Sequence, residues 1–224
     1  MIRSHDDLIR VEVIANANIA GPVAADFSII NLPLDAALAK ESLNNIFNSP
    51  TMRHITLILN RHRRKDKVLA MTTLKTAIDV GFEYLDTVSI WYDKPSSCSN
   101  NGFLPVCEVG YLFYKGAAPD VGMTAWFGDG TSNATNMWAV TPQELEKRSA
   151  TYYQKFAWEI PLLLLSMAQP LEHRRFIYNA ELTETELDSL FRFCKNFNMS
   201  VQLYSTTESD ALHIIRSYNT DYAK

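Results

Sequence analysis

Apolar, β-branched runs alternate with segments of helical periodicity along most of this chain of 224 residues. The runs predict strands at Phe27–Asn31, Arg53–Asn60, Tyr84–Tyr92, Val106–Tyr114, Phe176–Tyr178 and Val201–Tyr204. The other segments predict helices at Asp35–Phe47, Val68–Val80, Thr141–Met167, Thr183–Phe197 and Ala211–Tyr218. Because strands that alternate with helices build βαβ units, we expect a layered α/β fold with a mainly parallel sheet flanked by helices.

Three helix ends carry specific signals. Gly81 directly follows the helical pattern of the second helix, which is the usual C-terminal stop. Thr183 and Glu186 have the spacing of a capping box, and Thr141 is followed by Pro142 and, two residues later, by an acidic side chain. These signals predict one helix end and two helix starts.

Composition is that of an ordinary globular protein, with 47% hydrophobic and 21% charged residues. The length predicts a single domain over residues 1–224, with irregular loops at 93–104 and 117–138. Lys and Arg number 21 against 25 Asp and Glu, so the net charge is -4. Since a strongly basic surface is excluded, any contact with nucleic acid must be a local patch.

Cysteine usage and hydropathy indicate a reducing, intracellular setting, either cytoplasmic or nuclear. The three cysteines are an odd number without paired spacing, and no charged and then apolar leader precedes them. The longest strongly apolar stretch, Ile160–Ala168, falls far short of the roughly 20 residues that span a bilayer. We therefore expect no membrane association.

Glycine is scarce and unevenly distributed. The chain has only 8 glycines, and none follows Gly130. Loops that bring the backbone close to a phosphate or nucleoside usually need glycine, because a side chain would block the approach. The C-terminal part is therefore poorly suited to cradle a nucleotide-like cofactor.

The residues that follow the predicted strands are the candidate ligand contacts, because ligands of open α/β sheets bind beyond the carboxyl ends of the strands. The first strand leads into Asn31, Leu32, Pro33 and Leu34. The second leads into a basic run that contains Arg61, Arg63, Arg64, Lys65 and Lys67, and the third is followed by Lys94. These cations could contact nucleic-acid phosphates, or they could form an ordinary solvated face.

Four segments together resemble a known family. FSIINLPLD, HITLILN, GFEYLDTVSIWYDKP and NGFLPVCEVGYLFYKG are similar to the S-adenosylmethionine-dependent amino-methyltransferases of adenine N6 and cytosine N4. The resemblance includes bacterial DNA enzymes of the permuted class, in which the catalytic strand precedes the cofactor strand, and RNA adenine methyltransferases. It extends from Val23 to Gly116, and later segments keep the expected order. It implies a methyltransferase-like, Rossmann-like fold.

In that family a catalytic tetrapeptide begins with Asp, Asn or Ser and ends with an aromatic residue that stacks on the flipped base. Here Asn31 and Pro33 match, whereas Leu32 replaces a proline and Leu34 replaces the aromatic residue. The leucine also resembles the non-catalytic partner of the heterodimeric messenger-RNA adenine methyltransferase. The alternative is that Asn31 only caps a turn and Pro33 only ends a strand.

The resemblance also implies a glycine-containing cofactor loop with an acidic residue. The permuted order places this loop near Phe176–Glu181, where no glycine occurs. A weak second candidate is WFGDGTS, in which Gly128 and Gly130 match, but Thr124 stands where the acidic residue belongs. A surface turn is the better interpretation there. We therefore expect no cofactor, or S-adenosylmethionine if the protein is an active enzyme.

These observations favour a catalytically degenerate methyltransferase-like protein that acts as a nucleic-acid-binding or partner subunit. Its expected partners are DNA or RNA, together with a methyltransferase subunit or a second copy of itself. One alternative is an active adenine N6 or cytosine N4 methyltransferase with divergent motifs, and another is a regulatory module for protein contacts. The histidines lack metal-ligand spacing and no cysteines lie close in pairs, so no metal is expected.

Overall fold

The computed structural model describes residues 1–14, 19, 21–32, 36–60, 67–91, 107–119, 137–138, 172–179, 182 and 184–222. The described strands are β1 (Ile2–Arg3), β2 (Ile9–Val13), β3 (Phe27–Leu32), β4 (His54–Asn60), β5 (Glu83–Trp91), β6 (Cys107–Lys115), β7 (Met137–Trp138), β8 (Arg175–Asn179) and β9 (Ser200–Ser205). The described helices are α1 (Ala36–Phe47), α2 (Lys67–Val80), α3 (Glu184–Phe197) and α4 (Glu208–Asp221).

The strands of the described residues form one sheet in the order β1-β2-β9-β8-β3-β4-β6-β5-β7. From β2 to β4 the strands are parallel neighbours, whereas β6 runs antiparallel to both β4 and β5. In register, Phe27 of β3 lies opposite Ile55 of β4 and Phe176 of β8. The predicted α/β architecture with a mainly parallel sheet flanked by helices is confirmed.

Alternating side chains of the central strands fill two cores, as the period of 2 along a strand requires. One core joins Phe27, Ile29 and Phe176 to apolar side chains of α3 and α4. The rings of Phe27 and Phe176 stack there with centroids 4.8 Å apart. The other core joins Ile30 and Ile58 to α1 and α2. The sheet is therefore buried on both faces, which explains why its central strands read as nearly continuous apolar runs.

The predicted strands and most predicted helices are confirmed to within a few residues at their ends. The helix α2 ends directly before Gly81, and α3 begins directly after Thr183, as the terminal signals indicate. The predicted helix Thr141–Met167 and the predicted loop 93–104 lie outside the described residues. The last two residues of the segment 117–138, expected to be irregular, form β7 beside β5. The sequence analysis missed β1 and β2.

None of the helices in the described ranges is long and apolar enough to cross a membrane.

Asp26 connects the amino ends of β3 and β8 through hydrogen bonds. Its side chain is 1% exposed and accepts hydrogen bonds from the backbone N–H groups of Glu172 (2.9 Å), His173 (3.2 Å) and Arg175 (3.4 Å). Its own backbone N–H donates to the Arg175 carbonyl oxygen at 2.8 Å. Because a buried carboxylate needs such donors, this contact fixes how the two strands enter the sheet.

A second polar contact lies at the C-terminal end of α1. The Lys115 ammonium at the end of β6 donates to the carbonyl oxygens of Phe47 at 2.5 Å and Ser49 at 2.7 Å. These are carbonyls at the C-terminal end of α1, where a positive charge is favoured by the helix dipole. Burial lowers the pKa of Lys115.

The imidazole of His54 is fully buried at the start of β4. Its Nδ1 lies 2.7 Å from the Ala25 carbonyl oxygen, which can only accept, so Nδ1 carries the proton of the neutral ring. Its Nε2 lies 3.0 Å from Ser28 Oγ, which a further hydrogen bond of 3.0 Å joins to Thr56 Oγ1. Burial lowers the pKa of His54 from 6.5 to about 4.

We therefore expect a pH-dependent loss of stability that comes from His54. In the unfolded chain the ring takes up a proton near pH 6.5, whereas in the folded protein it does so only near pH 4. The contribution of the neutral ring is complete above pH 6.5 and is lost as the pH falls towards 4, by about 3 kcal/mol in total. Urea unfolding of the wild type and of His54→Gln across this range measures the difference.

The variant His213→Gln is the matched control, since this histidine is exposed on α4. We expect the control to follow the wild-type pH profile and His54→Gln to give a flatter one. An identical slope for His54→Gln and the wild type would contradict the assignment to His54.

Candidate functional site

The carboxyl ends of β8 and β3 flank the point where the chain changes direction across the sheet. From β8 the chain continues through α3 to β9 on one side, and from β3 it continues through α1 to β4 on the other. Helices that depart in opposite directions leave a crevice between them, and open α/β sheets bind ligands in such a crevice. The candidate site is therefore the edge beyond β8, β3 and β4.

Asn31 lies at this edge of the sheet, one residue before the end of the central strand β3. It is opposite Leu59 of β4, and Leu32 is opposite Asn60. The other two residues of the predicted tetrapeptide, Pro33 and Leu34, lie outside the described residues. The backbone position of Asn31 is thus that of a strand end at the ligand edge, while its catalytic role stays a prediction.

Two further asparagines lie at the same edge, and the sequence analysis did not select them. Asn60 ends β4, and the half-buried Asn179 ends β8. Asn179 lies opposite Ile30, one residue from Asn31. In register, the positions of Asn60 and Asn179 share one face of the sheet with Ile30, whereas Asn31, one residue further along β3, is on the other face. The signal that could have found Asn60 and Asn179 is a polar residue that closes an otherwise apolar strand, as in HITLILN and RFIYN.

The connection after β8 stands at the cofactor position that the resemblance implies. β8 lies beside β3, and only residues 180–183 separate its last residue from α3. These four residues are Ala, Glu, Leu and Thr, without glycine. A short glycine-free connection restricts how closely a ligand can approach the backbone.

The polar groups after the neighbouring strand β9 are engaged in a local turn. Ser205 Oγ donates to the Thr207 carbonyl oxygen at 2.9 Å and accepts from the Thr207 N–H at 3.3 Å. Thr207 caps α4 by accepting a hydrogen bond of 3.1 Å from the Asp210 N–H. These contacts shape the end of β9 and the start of α4 and are typical of a structural turn.

A buried polar cluster lies on β2 and β9 near the same edge. Gln202 is 2% exposed, and its Nε2 donates to Glu12 Oε2 at 2.9 Å and to the Tyr204 hydroxyl at 3.1 Å. Burial, and then the charge of Glu12, raises the pKa of Tyr204. The phenol therefore stays protonated at neutral pH, and the cluster is held together by hydrogen bonds within the protein.

The remaining predicted site residues are only partly described. Lys67 is the first residue of α2, so the basic run leads directly from the end of β4 into this helix. Arg61, Arg63, Arg64, Lys65, Lys94, Gly128 and Gly130 lie outside the described residues. Within the described ranges, no group of three His, Cys, Asp or Glu side chains could hold a metal ion.

Comparison with known proteins gives similarity in structure but not in sequence. No family profile matches the chain, and no curated protein matches it significantly. M1.HpyAVI, solved in complex with SAM, superposes with a TM-score of 0.58 at 9% identity over 94% of this chain and 99% of that one. A second M1.HpyAVI structure gives 0.60 at 10% identity over 93% and 97%. TTHA0409 of Thermus thermophilus, provisionally described as a DNA modification methylase, gives 0.58 at 10% identity over 95% of each chain.

At such low identity the similarity reports the fold alone. The superposition nevertheless includes nearly the whole length of both chains. The chain therefore has the methyltransferase-like, Rossmann-like fold of these structures.

Proposed function

We propose that this chain is a catalytically degenerate methyltransferase-fold protein that binds nucleic acid as a subunit of a methyltransferase assembly. The observation that carries the proposal is a mismatch between the two halves of one crevice. Asn31 is retained at the end of β3, whereas β8 continues into residues 180–183 without glycine. The half of the crevice beside β3, which would face the base, has a polar residue near its strand end. The half beyond β8, which would hold the cofactor, has no glycine-containing loop in residues 180–183.

The missing aromatic residue supports the loss of catalysis. Leu34 stands where the related tetrapeptides carry the ring that stacks on the flipped base. Such stacking contributes about 1–3 kcal/mol per base. Without it, a base would be held too weakly and too loosely for efficient transfer of a methyl group.

The basic run supports contact with nucleic acid. It begins directly after Asn60, at the carboxyl end of β4, and contains five cations within residues 61–67. M1.HpyAVI and TTHA0409, the structural neighbours, include a complex with SAM and a protein described as a DNA modification methylase. Cations at the ligand edge would bind phosphates and could position a strand for a second subunit.

An active amino-methyltransferase with divergent motifs is the second candidate. It is favoured by the extent of the similarity, since TTHA0409 in complex with S-adenosyl-L-methionine matches 94% of this chain with a TM-score of 0.52. In that case Gly128 and Gly130 would supply the cofactor loop.

Two titrations of the purified chain distinguish these functions. We expect no saturable heat with S-adenosylmethionine by calorimetry, and salt-dependent binding of a single-stranded oligonucleotide by fluorescence anisotropy. Replacing Arg61, Arg63, Arg64 and Lys65 with Gln should lower the salt slope by about one for each phosphate that is no longer neutralised. If the chain assembles with a second copy of itself, light scattering should give a mass above the 25.4 kDa of one chain.

The opposite outcomes are equally clear. Micromolar binding of S-adenosylmethionine that Gly128→Val or Gly130→Val abolishes, with Gly102→Val as the matched control, would favour the active enzyme. Oligonucleotide binding that is absent, or that the four replacements leave unchanged, would contradict the nucleic-acid part of the proposal.

A further inference from the structure

Three large apolar side chains are exposed at the edge of the sheet that lies opposite the candidate site. Met52 is 81% exposed in the turn before β4, and Tyr84 is 52% exposed near the start of β5. The helix α2 runs back from the end of β4 to the start of β5, so Ile78, 56% exposed in its last turn, lies at the same edge. We call Met52, Ile78 and Tyr84 the amino-edge patch. Exposed apolar side chains that cluster in this way mark interaction surfaces.

Close contacts join the segments that carry the patch. An added Cβ on Gly116, at the end of β6, would lie 2.2 Å from the Met52 carbonyl oxygen. The rings of Phe47, at the end of α1, and Phe82, directly before β5, have centroids 5.1 Å apart. The Phe82 N–H donates to the Ala77 carbonyl oxygen of α2 at 3.1 Å. The turn before β4, the end of α2 and the start of β5 are therefore neighbours on one surface.

The two ends of the patch carry opposite charges. Arg53, directly before β4, is exposed, and no carboxylate among the described residues forms an ion pair with it. Glu83, the first residue of β5, is also exposed and accepts a hydrogen bond of 2.7 Å from the Tyr114 hydroxyl. Since β6 lies between β4 and β5, the two charged positions are about 10 Å apart across the edge. The exposed Asp79 pairs with Lys75 of the same helix and adds no net charge.

We infer that the amino-edge patch is the contact surface for a second copy of this chain, related by a two-fold axis. A half turn about an axis near the end of β6 exchanges the two ends of the patch, so that Arg53 of each copy faces the partner's Glu83. The apolar side chains then meet between the two charge pairs, which is the usual anatomy of a protein interface. A uniformly basic or acidic partner would match only one end. The inference rests on the proposed assembly and names its partner.

This contact leaves the candidate site open. The patch lies at the start of β4 and the basic run at its end, and the seven residues of this strand separate the two by about 20 Å. A dimer would thus present two accessible crevices, and nucleic-acid binding per chain should not depend on dimerisation. Because the patch is small, we expect a weak, reversible dimer with a dissociation constant in the micromolar range.

Analytical ultracentrifugation of the full chain over micromolar concentrations tests the inference. The wild type should show a reversible equilibrium between monomer and dimer. Ile78→Glu brings two like charges together at the centre of the contact and should weaken the dimer about tenfold or more. Met71→Glu is the matched control, because Met71 is also exposed on α2 but lies two turns before Ile78, away from the patch. This variant should dimerise like the wild type.

Exchange of the charges tests the two-fold geometry. Arg53→Glu and Glu83→Arg each place like charges opposite each other and should each weaken the dimer about tenfold. The double variant restores both charge pairs and should dimerise like the wild type. Because the double variant still lacks the hydrogen bond from Tyr114 to Glu83, its recovery reports the contact between copies and not a repair within one chain.

A wild-type chain that stays monomeric overturns the inference. A dimer that Ile78→Glu leaves intact, that Met71→Glu weakens equally, or that the double charge exchange does not restore overturns it as well. In each case a contact with a methyltransferase subunit through another surface still stands as the proposed function. Fluorescence anisotropy should give Ile78→Glu the wild-type affinity for a single-stranded oligonucleotide. Absent binding by the wild type contradicts the nucleic-acid part of the proposed function and leaves the dimer in place.

Discussion

Replacing Asp26 with Ala is expected to lower the free energy of unfolding by about 3–5 kcal/mol. The carboxylate is 1% exposed and accepts hydrogen bonds from three backbone N–H groups between residues 172 and 175. Its removal leaves a cavity and three donors without their acceptor at the entry of β8. Urea denaturation at neutral pH measures the change as a shift of the transition midpoint.

Two variants separate this effect from the loss of a charge. Asp26→Asn keeps the shape and one acceptor oxygen and should cost less than the alanine variant. Asp79→Ala removes an exposed carboxylate that pairs with Lys75 on α2 and should change stability by less than about 1 kcal/mol. Equal stabilities of Asp26→Ala and Asp79→Ala would show that the contact between β3 and β8 is not important.

Gly116→Ala is expected to destabilise the protein by about 3 kcal/mol. The backbone has φ +82° at this residue, and an added Cβ would lie 2.2 Å from the Met52 carbonyl oxygen. The positive φ costs an alanine about 1–2 kcal/mol, and the overlap forces a backbone shift that costs about 1–3 kcal/mol more. Thermal and urea unfolding of the variant measure the sum.

Gly21→Ala is the matched control for this position. Gly21 also has a positive φ, +113°, but an added Cβ meets nothing within 4 Å. Both replacements change the entropy of the unfolded chain equally, so their difference isolates the overlap with Met52. A difference of less than about 1 kcal/mol would contradict the steric explanation.

Local sequence patterns were sufficient for the elements that lie in the centre of the sheet. The runs that became β3 and β4 are apolar on both faces, because helices cover both sides, and such runs are recognised without knowledge of their neighbours. The strand β2 was missed because IRVEV contains charged side chains. Arg10 donates to the nearby Asp7, whereas Glu12 accepts a hydrogen bond from Gln202 of the paired strand β9, which is distant in sequence.

The sequence by itself determined where most strands and helices lie, that α2 ends directly before Gly81, and that Asn31 lies near the carboxyl end of a buried strand. Only the tertiary structure decided the order of the strands, the antiparallel direction of β6, and the placement of Asn60 and Asn179 at the same edge of the sheet as Asn31. The physical reason is the range of the interactions. Alternation of side chains and terminal glycines act within a few residues, whereas strand pairing is set by hydrogen bonds and packing between segments as far apart as β3 and β8.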